Sequence, residues 1–432
     1  MRKVKLGDIA ELSTGPFGSQ LHKSDYVDEG IPVVMPQDID SHRTFNAAAN
    51  IDESDYSRLG RHALETNDIV FARRGEVDKH AFIRDDDLPA LCGTGCLRVR
   101  IDGNKANPEF ISYYLSGPEP RQYLRAHAVG SNMPNLNTGI LSDVVITLPN
   151  IDQQKNIVAL LHAIDEKIET NGKIIAELEA MARTVYDYWF MQFDFLDEHG
   201  NPYRSSGGRM VHNPTLNRDI PEGWEVAIAN DLVSIDRGIS YSAVELSDEG
   251  RPMINLATFN TNSTFKESGL KHFVGETKGS KLLSPFDLVM CVTQQTAIDP
   301  TGTTDVIAKT FLVPNVFDEA PTMSMDVVRL IEKRANVRFL LNRMLSRTDY
   351  HRYASGYASG TKIKHLDIEG ALSFPVTLPT DNALIDKFAE MSTTWAKQVS
   401  TRLQESTRLA QLRNRLLPLL MNGQAVIDSA NV

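Results

Sequence analysis

The chain repeats itself. The stretch GSNMPNLNTGILSDVVITLP (Gly130 to Pro149) returns as GTKIKHLDIEGALSFPVTLP (Gly360 to Pro379), and shorter echoes precede it in the same order. GDIAELSTG (Gly7 to Gly15) is matched by NDLVSIDRG (Asn230 to Gly238), EGIPVV from Glu29 by EGRPMI from Glu249, and NDIVFARRGEV from Asn67 by FDLVMCVTQQT from Phe286. Each match is weak alone, but collinear matches at a near-constant offset mean a duplicated structural unit. A fold for this sequence has to contain one architecture twice.

After each LP the pattern changes. Ile157, Leu161, Ile164, Ile168, Asn171, Ile175, Leu178, Ala182, Val185 and Trp189 are spaced alternately four and three apart, which is the heptad of a coiled coil. The second copy, from Asp381 to about Met421, opens with Leu384, Phe388, Met391 and Trp395. It continues through Val399, Leu403, Leu409, Leu412 and Leu416 with a stutter near Gln398. Residues 152–190 hold 4 Lys/Arg against 7 Asp/Glu, whereas 381–421 hold 6 against 4. Opposite charge and a long seam favour helix on helix over each helix docking only on its own domain. A rough two-fold between the copies makes that pair antiparallel, with the globular domains at opposite ends. A helix of ~38 residues reaches about 57 Å, the length of roughly 17 base pairs of duplex.

The layout expected is a first domain over 1–149, a long helix over 150–190, a junction over 191–225, a second domain over 226–380, and a second long helix with a C-terminal tail over 381–432. Within the domains, β-rich runs such as DIVFAR, CLRVRI, DVVITLP, DLVMCV and MDVVRLI alternate with Gly, Asn and Asp turns. Helical stretches, NPEFISYYLSG and NVRFLLNRMLS, follow late in each copy. The fold class is mixed α/β: two similar domains joined by two long helices packed as an antiparallel coiled coil. The junction packs aromatics into a Gly- and Pro-rich segment, YWFMQFDFLDEHGNPYRSSGGRMVHNPTLNRDIPEGWEV. Trp189, Phe190, Phe193 and Phe195 are expected to close the seam, and Trp224 to anchor the entry to the second copy.

Several chemistries are disfavoured. No NPPY-like tetrad is present, since HNPTLN around Pro214 lacks the second Pro and the aromatic; GPFGS is too short for a glycine-rich cofactor loop, and SSGG has no flanking strand and helix. No GKS/T phosphate loop occurs, so ATP binding is not expected. The DEK triplet at Asp165 falls on the heptad helix and reads as a solvated face rather than a metal site. Cys92, Cys96 and Cys291 are too few for a disulfide framework. CGTGC could supply two metal ligands but has no second pair, so a structural role is favoured and no metal is expected. No run of about 18 apolar residues and no signal-peptide pattern is found, which points to the cytoplasm and away from a membrane. A net charge of −11 argues against bulk electrostatic capture of nucleic acid while leaving room for local basic patches.

The junction carries a resemblance. YWF, QFDF, GNPYRSSGGRM and IPEGWE in that order, with LPNIDQQKNIV at the entry to the first helix and LAQLRNRLLPLLMNGQ closing the second, resemble the specificity (S) subunit of a type I restriction-modification system. The resemblance covers essentially the whole chain. It implies two target recognition domains that each read a few base pairs of double-stranded DNA, helices that set a non-specific spacer, and a bipartite asymmetric target. It implies as partners two modification (methyltransferase) subunits, which bind S-adenosylmethionine and methylate a flipped adenine, and restriction subunits that use ATP and Mg. This chain would hold no cofactor and perform no catalysis.

Base reading needs paired donors or acceptors on loops near basic residues. In the first copy ARRGEVDKH offers Arg73, Arg74 and Lys79, the arginines suited to guanine, although Glu76 and Asp78 can neutralise that loop. GSNMPNLN offers Ser131, Asn132, Asn135 and Asn137, suited to adenine or to plain turn chemistry. STGPFGSQLHK adds Ser19, Gln20 and Lys23. In the second copy CVTQQTAI presents Thr293, Gln294, Gln295 and Thr296 where the first has arginines, and SGTKIKH presents Thr361, Lys362, Lys364 and His365. The half-sites would then differ, the first favouring guanine-containing and the second adenine-containing steps. Residues 1–150 carry 16 Lys/Arg against 21 Asp/Glu and 229–380 carry 16 against 17, so partner subunits are expected to supply most phosphate contacts. The competing reading is a coiled-coil adaptor whose duplicated domains bind protein; the acidic charge favours it, and the two unlike polar loop sets favour DNA.

Overall fold

The computed structural model describes residues 1–39, 45, 47–130, 134–295, 307–361, 363–425 and 427. They form two compact units: 1–168 with 407–432, and 169–406. Each unit therefore contains a segment of both long helices.

The first unit is built on a four-stranded sheet in the order Ala10–Thr14, Cys96–Ile101, Asp68–Ala72, His80–Phe82. A smaller sheet of Tyr26–Val27, Ala49–Ile51, Ile31–Val34 and Leu91–Cys92 lies beside it, and an antiparallel ribbon pairs Arg2–Lys5 with Val145–Leu148. The second unit repeats this order strand for strand: Val233–Arg237, Val327–Glu332, Leu288–Cys291, Thr310–Leu312 in the large sheet; Leu246–Ser247, Lys271–Phe273, Arg251–Ile254, Thr322–Met323 in the small one; and Trp224–Ile228 with Pro375–Pro379 as the ribbon.

The repeat extends to packing. Strand side chains alternate faces, and in Asp68–Ala72 that period sends Ile69 and Phe71 to the main core and Val70 and Ala72 to a second one. In Leu288–Cys291 it sends Leu288 and Met290 one way and Val289 and Cys291 the other. At the start of each central strand, at Asp68 and just before Leu288, a carboxylate is held by the neighbouring strand's arginine. Fully buried Asp68 accepts Arg100 Nε and Nη2, each at 2.8 Å, and Asp287 accepts Arg329 Nη1 at 3.2 Å.

The long helices are Ile151–Tyr186, extended by one π-helical turn over Asp187–Met191, and Ala383–Met421. In the first unit Ile157 and Leu161 share the main core with Leu417, Leu420 and Met421, with Leu416 half-buried against it. In the second unit Val185, Tyr186, Trp189 and Phe190 pack with Leu384, Ile385, Phe388, Met391 and Trp395. Residue numbers rise on one helix as they fall on the other, so the segments run antiparallel within each unit. Ile164 and Leu178 are buried and Ile168 and Ile175 half-buried.

Two details depart from the sequence reading. Leu412 is exposed, and Leu417 and Leu420 are the buried positions near that helix's end; Ile385 is buried completely where Leu384 is only half-buried. The reason is that the helix ends sink into globular cores instead of following a pure seam, so the buried stripe widens beyond a and d. Asp165 is also buried, not solvated. Its neighbours across the unit, Tyr113 and Arg413, lie far away in sequence.

The junction belongs to the second unit. Phe190 meets Phe388 edge-on at 5.3 Å, and Trp224 takes Phe193 edge-on at 5.2 Å and stacks on Phe195 at 5.5 Å. Phe193 adopts a left-handed backbone at φ 64° with its ring buried beneath the Arg218 guanidinium. The chain reverses there.

Candidate nucleic-acid interface

In the first unit one edge of the large sheet gathers most of the polar loops. The strands Ala10–Thr14 and Asp68–Ala72 end on either side of the start of Cys96–Ile101, because Gly15 N–H donates to the Cys96 carbonyl at 3.0 Å and Arg73 N–H to the Gly95 carbonyl at 2.8 Å. On its other side Arg73 accepts Leu136 N–H at 2.8 Å, and Asn135 exchanges backbone hydrogen bonds with Val129. The loops after Gly15, after Arg73 and before Asn135 therefore emerge together.

The second unit builds the same edge. Gly238 N–H donates to Val327, Val292 N–H donates to Asp326, and Val292 accepts Leu366 N–H at 2.9 Å. Thr293–Gln295 continues as a strand paired with Ile363–Leu366, which in turn pairs with Ala358–Ser359. Gly15 and Gly238 allow close approach: a Cβ on either would land on the carbonyl oxygen of Gly93 or Ser324.

The matched hydrogen bonds align the copies residue by residue. Val292, an apolar residue, stands opposite Arg73, and Thr293 opposite Arg74. Asn135 matches His365, and Asn137 matches Asp367; both of these last two cap a short helix, Asn137 Oδ1 accepting from Ile140 N–H at 2.9 Å and Asp367 Oδ1 from Gly370 N–H at 3.3 Å.

Not every polar candidate is available to a ligand. Ser19, Lys23 and Arg74 are exposed and without a side-chain partner among the described residues. Gln20 uses its carbonyl to accept Phe17 N–H at 3.1 Å, shaping its own loop. Arg73 is half-buried with Nε donating to Asn135 Oδ1 at 3.3 Å, and Lys79 is paired with Glu76 at 2.6 Å. Thr293 and Gln294 are buried, and the Gln294 side-chain carbonyl oxygen has no partner among the described residues. Lys364 is half-buried, and Thr361 and His365 are exposed. Ser131, Asn132, Thr296 and Lys362 lie outside the described residues, as does the side chain of Gln295.

The geometry adds Arg121 and Arg125, one turn apart on the helix Pro118–His127. Both reach Asp78 in the Arg73 loop, Arg121 Nη2 at 2.6 Å and Arg125 Nη2 at 2.7 Å. Burial alone would raise the Asp78 carboxyl, but the two guanidiniums hold it below the usual carboxylate range. Their i, i+4 spacing was visible in the sequence; the distant acidic partner was not.

The cysteine side chains are buried in the cores behind this edge. Burial pushes the Cys92 thiol up to about 12 and the Cys291 thiol to about 11, and raises Cys96 well above its ordinary value. Among the described residues no cluster of His, Cys, Asp or Glu could hold a metal ion, and no helix is long and apolar enough to cross a membrane.

Comparison with known proteins meets this geometry from outside. A family model described as the type I restriction modification DNA specificity domain matches residues 1–180. The type I restriction enzyme MjaIX specificity subunit of Methanocaldococcus jannaschii is 21% identical over 430 residues, 98% of this chain and 93% of that one. The HindI specificity subunit of Haemophilus influenzae is 24% identical over 135 residues, 31% of this chain and 29% of that one. Among solved structures, the type I restriction-modification S subunit from M. genitalium shares the fold at a TM-score of 0.54 and 16% identity, covering 97% of this chain and 95% of that one. Residues 1–180 match the type I restriction modification DNA specificity domain, and over nearly its full length the chain is similar to a type I restriction enzyme specificity subunit.

Proposed function

We infer that this chain gives a type I restriction-modification complex its DNA sequence specificity. The observation that carries the reading is the duplicated sheet edge, one backbone scaffold presenting unlike side chains in its two copies. A shared frame with different donors is what reading two different half-sites requires. In this reading 1–149 and 226–380 are the target recognition domains, and the long helices over 150–190 and 381–432 set the spacer. Arg74, Lys23 and Ser19 contact DNA from the first domain, and Thr361, Lys364 and His365 from the second.

The specificity subunits of this family are generally non-catalytic, and the chain performs no chemistry of its own in this reading. Two modification subunits bring S-adenosylmethionine and transfer the methyl group to adenine. Restriction subunits bring ATP and Mg, and neither cofactor set resides on this chain. The net charge of −11 makes the isolated chain a weak DNA binder that depends on its partners for phosphate contacts. Single-molecule sequencing of host DNA with and without the gene tests the reading. A split adenine-methylation motif should vanish with the chain, and an unchanged methylome would refute it.

A further inference from the structure

The two reading edges carry more than polar groups. Among the described residues the five most exposed large apolar side chains are Val244 at 87%, Val129 at 64%, Met1 at 63%, and Phe17 and Met325 at 57%. Phe17, Val129 and Met325 lie on a reading edge, and Val244 stands on the turn Ala243–Glu245 that follows the loop from Gly238. Phe17 follows Gly15 on the first loop, and Val129 pairs with Asn135 beside Arg74. In the second unit Met325 precedes Asp326, whose carbonyl accepts Val292 N–H. Ile363, also exposed, pairs with Gln295 on the opposite flank of the same strand.

Scattered exposed apolar residues need no explanation. Concentration of the most exposed ones at equivalent edges of two separate copies does, particularly as the residues are not the same: Met325 corresponds to Thr94, and Val129 to Ser359. A core or packing requirement inherited from the duplicated ancestor would have kept matching residues. Divergence at a shared location is the mark of residues chosen by what each copy meets.

We propose that these apolar tips read the C5-methyl groups of thymine, Phe17 and Val129 in one half-site, and Met325, Ile363 and Val244 in the other. The inference rests on the DNA-reading function above and names what part of the base edge is read. In the major groove every base edge offers hydrogen-bond donors or acceptors, and the thymine methyl is the one apolar feature. An apolar side chain laid on any other edge would strip water from a polar group without replacing it. Arg74, Lys364 and His365 beside the tips supply the hydrogen bonds, and the tips distinguish thymine from cytosine and from uracil at the same position.

The test uses the modification complex containing the full chain, on duplexes carrying the motif mapped by methylome sequencing. Single thymines are replaced by deoxyuridine, which removes only the methyl. At least one position in each half-site should lose about three- to fivefold in affinity, the effect of one buried methyl-sized group. Met325→Ala should erase the penalty in one half-site and Phe17→Ala in the other, with thermal unfolding unchanged because both side chains are exposed. Tolerance of deoxyuridine throughout, or penalties that persist in both variants, would overturn the proposal while leaving the function standing. Absence of any motif dependent on the chain would remove both.

Discussion

Arg413 Nη1 lies 2.6 Å from Asp165 Oδ1, and the Tyr113 hydroxyl donates to Asp165 Oδ2 at 2.7 Å. The buried carboxylate thus ties the first long helix to the end of the second and to the globular helix Pro108–Leu115. In the second unit the same tie is written in other residues. Arg343, one position past the counterpart of Tyr113, pairs with Glu179 at 2.5 Å, while Ser392, four residues after Phe388 as Asp165 is after Leu161, keeps a hydroxyl without a partner among the described residues beside a cavity of about 150 Å³.

Removing one member of such a set leaves a charge with nothing to face. Asp165→Ala should destabilise the first unit by about 3 kcal/mol, near the low end for a broken buried pair because Arg413 keeps some water. Replacing the whole set at once, Asp165→Leu with Arg413→Met and Tyr113→Phe, should come back close to the native stability. Urea titration of the full chain measures both. Equal losses in the single and triple variants would contradict this account.

What the sequence made legible is local or periodic. The duplicated motifs fix two copies of one α/β frame because a repeat of strand order needs no knowledge of contacts, and the four-three spacing from Ile157 announces a long helix by itself. Leu412 and Asp165 were misread for one reason: whether a helical position meets solvent depends on what packs there, and that comes from distant segments, as Tyr113 and Arg413 do for Asp165 at 52 and 248 residues away. The loops show the same limit. Gln20 and Asn137 have the chemistry of base readers, yet Phe17 N–H and Ile140 N–H already occupy their side-chain oxygens. Thr293 and Gln294 look like loop residues until Asp326 and Leu366 are seen to bond the backbone of Val292 from both sides.

The glycines at the reading edges separate the two half-sites experimentally. Gly15→Ala forces the first loop away from Gly93, and Gly238→Ala forces the second from Ser324. Each costs about 1–3 kcal/mol as overpacking against backbone that cannot yield. Because the edges belong to different units, Gly15→Ala should relax recognition of one half-site only and Gly238→Ala of the other. Methylome sequencing of each variant reads this directly, and degradation of both half-sites by either substitution would sink it.

His351 makes the second unit sensitive to acid. Burial lowers its proton affinity and Lys309 lowers it further, while the hydrogen bond between Nδ1 and the Ile307 carbonyl at 2.9 Å, and Asp349, act the other way without overcoming them. The folded value lies below the ordinary 6.5, so the unfolded chain takes up the proton more readily. Stability from this group is complete above 6.5 and is lost as pH falls toward the folded value. Melting temperature should drop between about pH 7.5 and 5.5, and less steeply in His351→Asn. The same slope in both proteins would assign the acid sensitivity elsewhere.

Asn171 sits fully buried in the first long helix between Ile168 and Ile175, donating to Ser406 Oγ of the second at 3.3 Å with its own carbonyl oxygen unsatisfied. An apolar residue there would pack better, since an unsatisfied buried acceptor costs about 1–3 kcal/mol. A polar residue in a seam instead penalises every register in which it meets apolar side chains. Asn171→Ile should therefore raise the melting temperature while weakening the preference for one alignment of the helices. If those helices set the spacer, the variant should methylate sites with more than one spacer length. A more stable protein with an unchanged spacer would show that Asn171 does not guard the register, and a less stable one that its single hydrogen bond outweighs the orphaned oxygen.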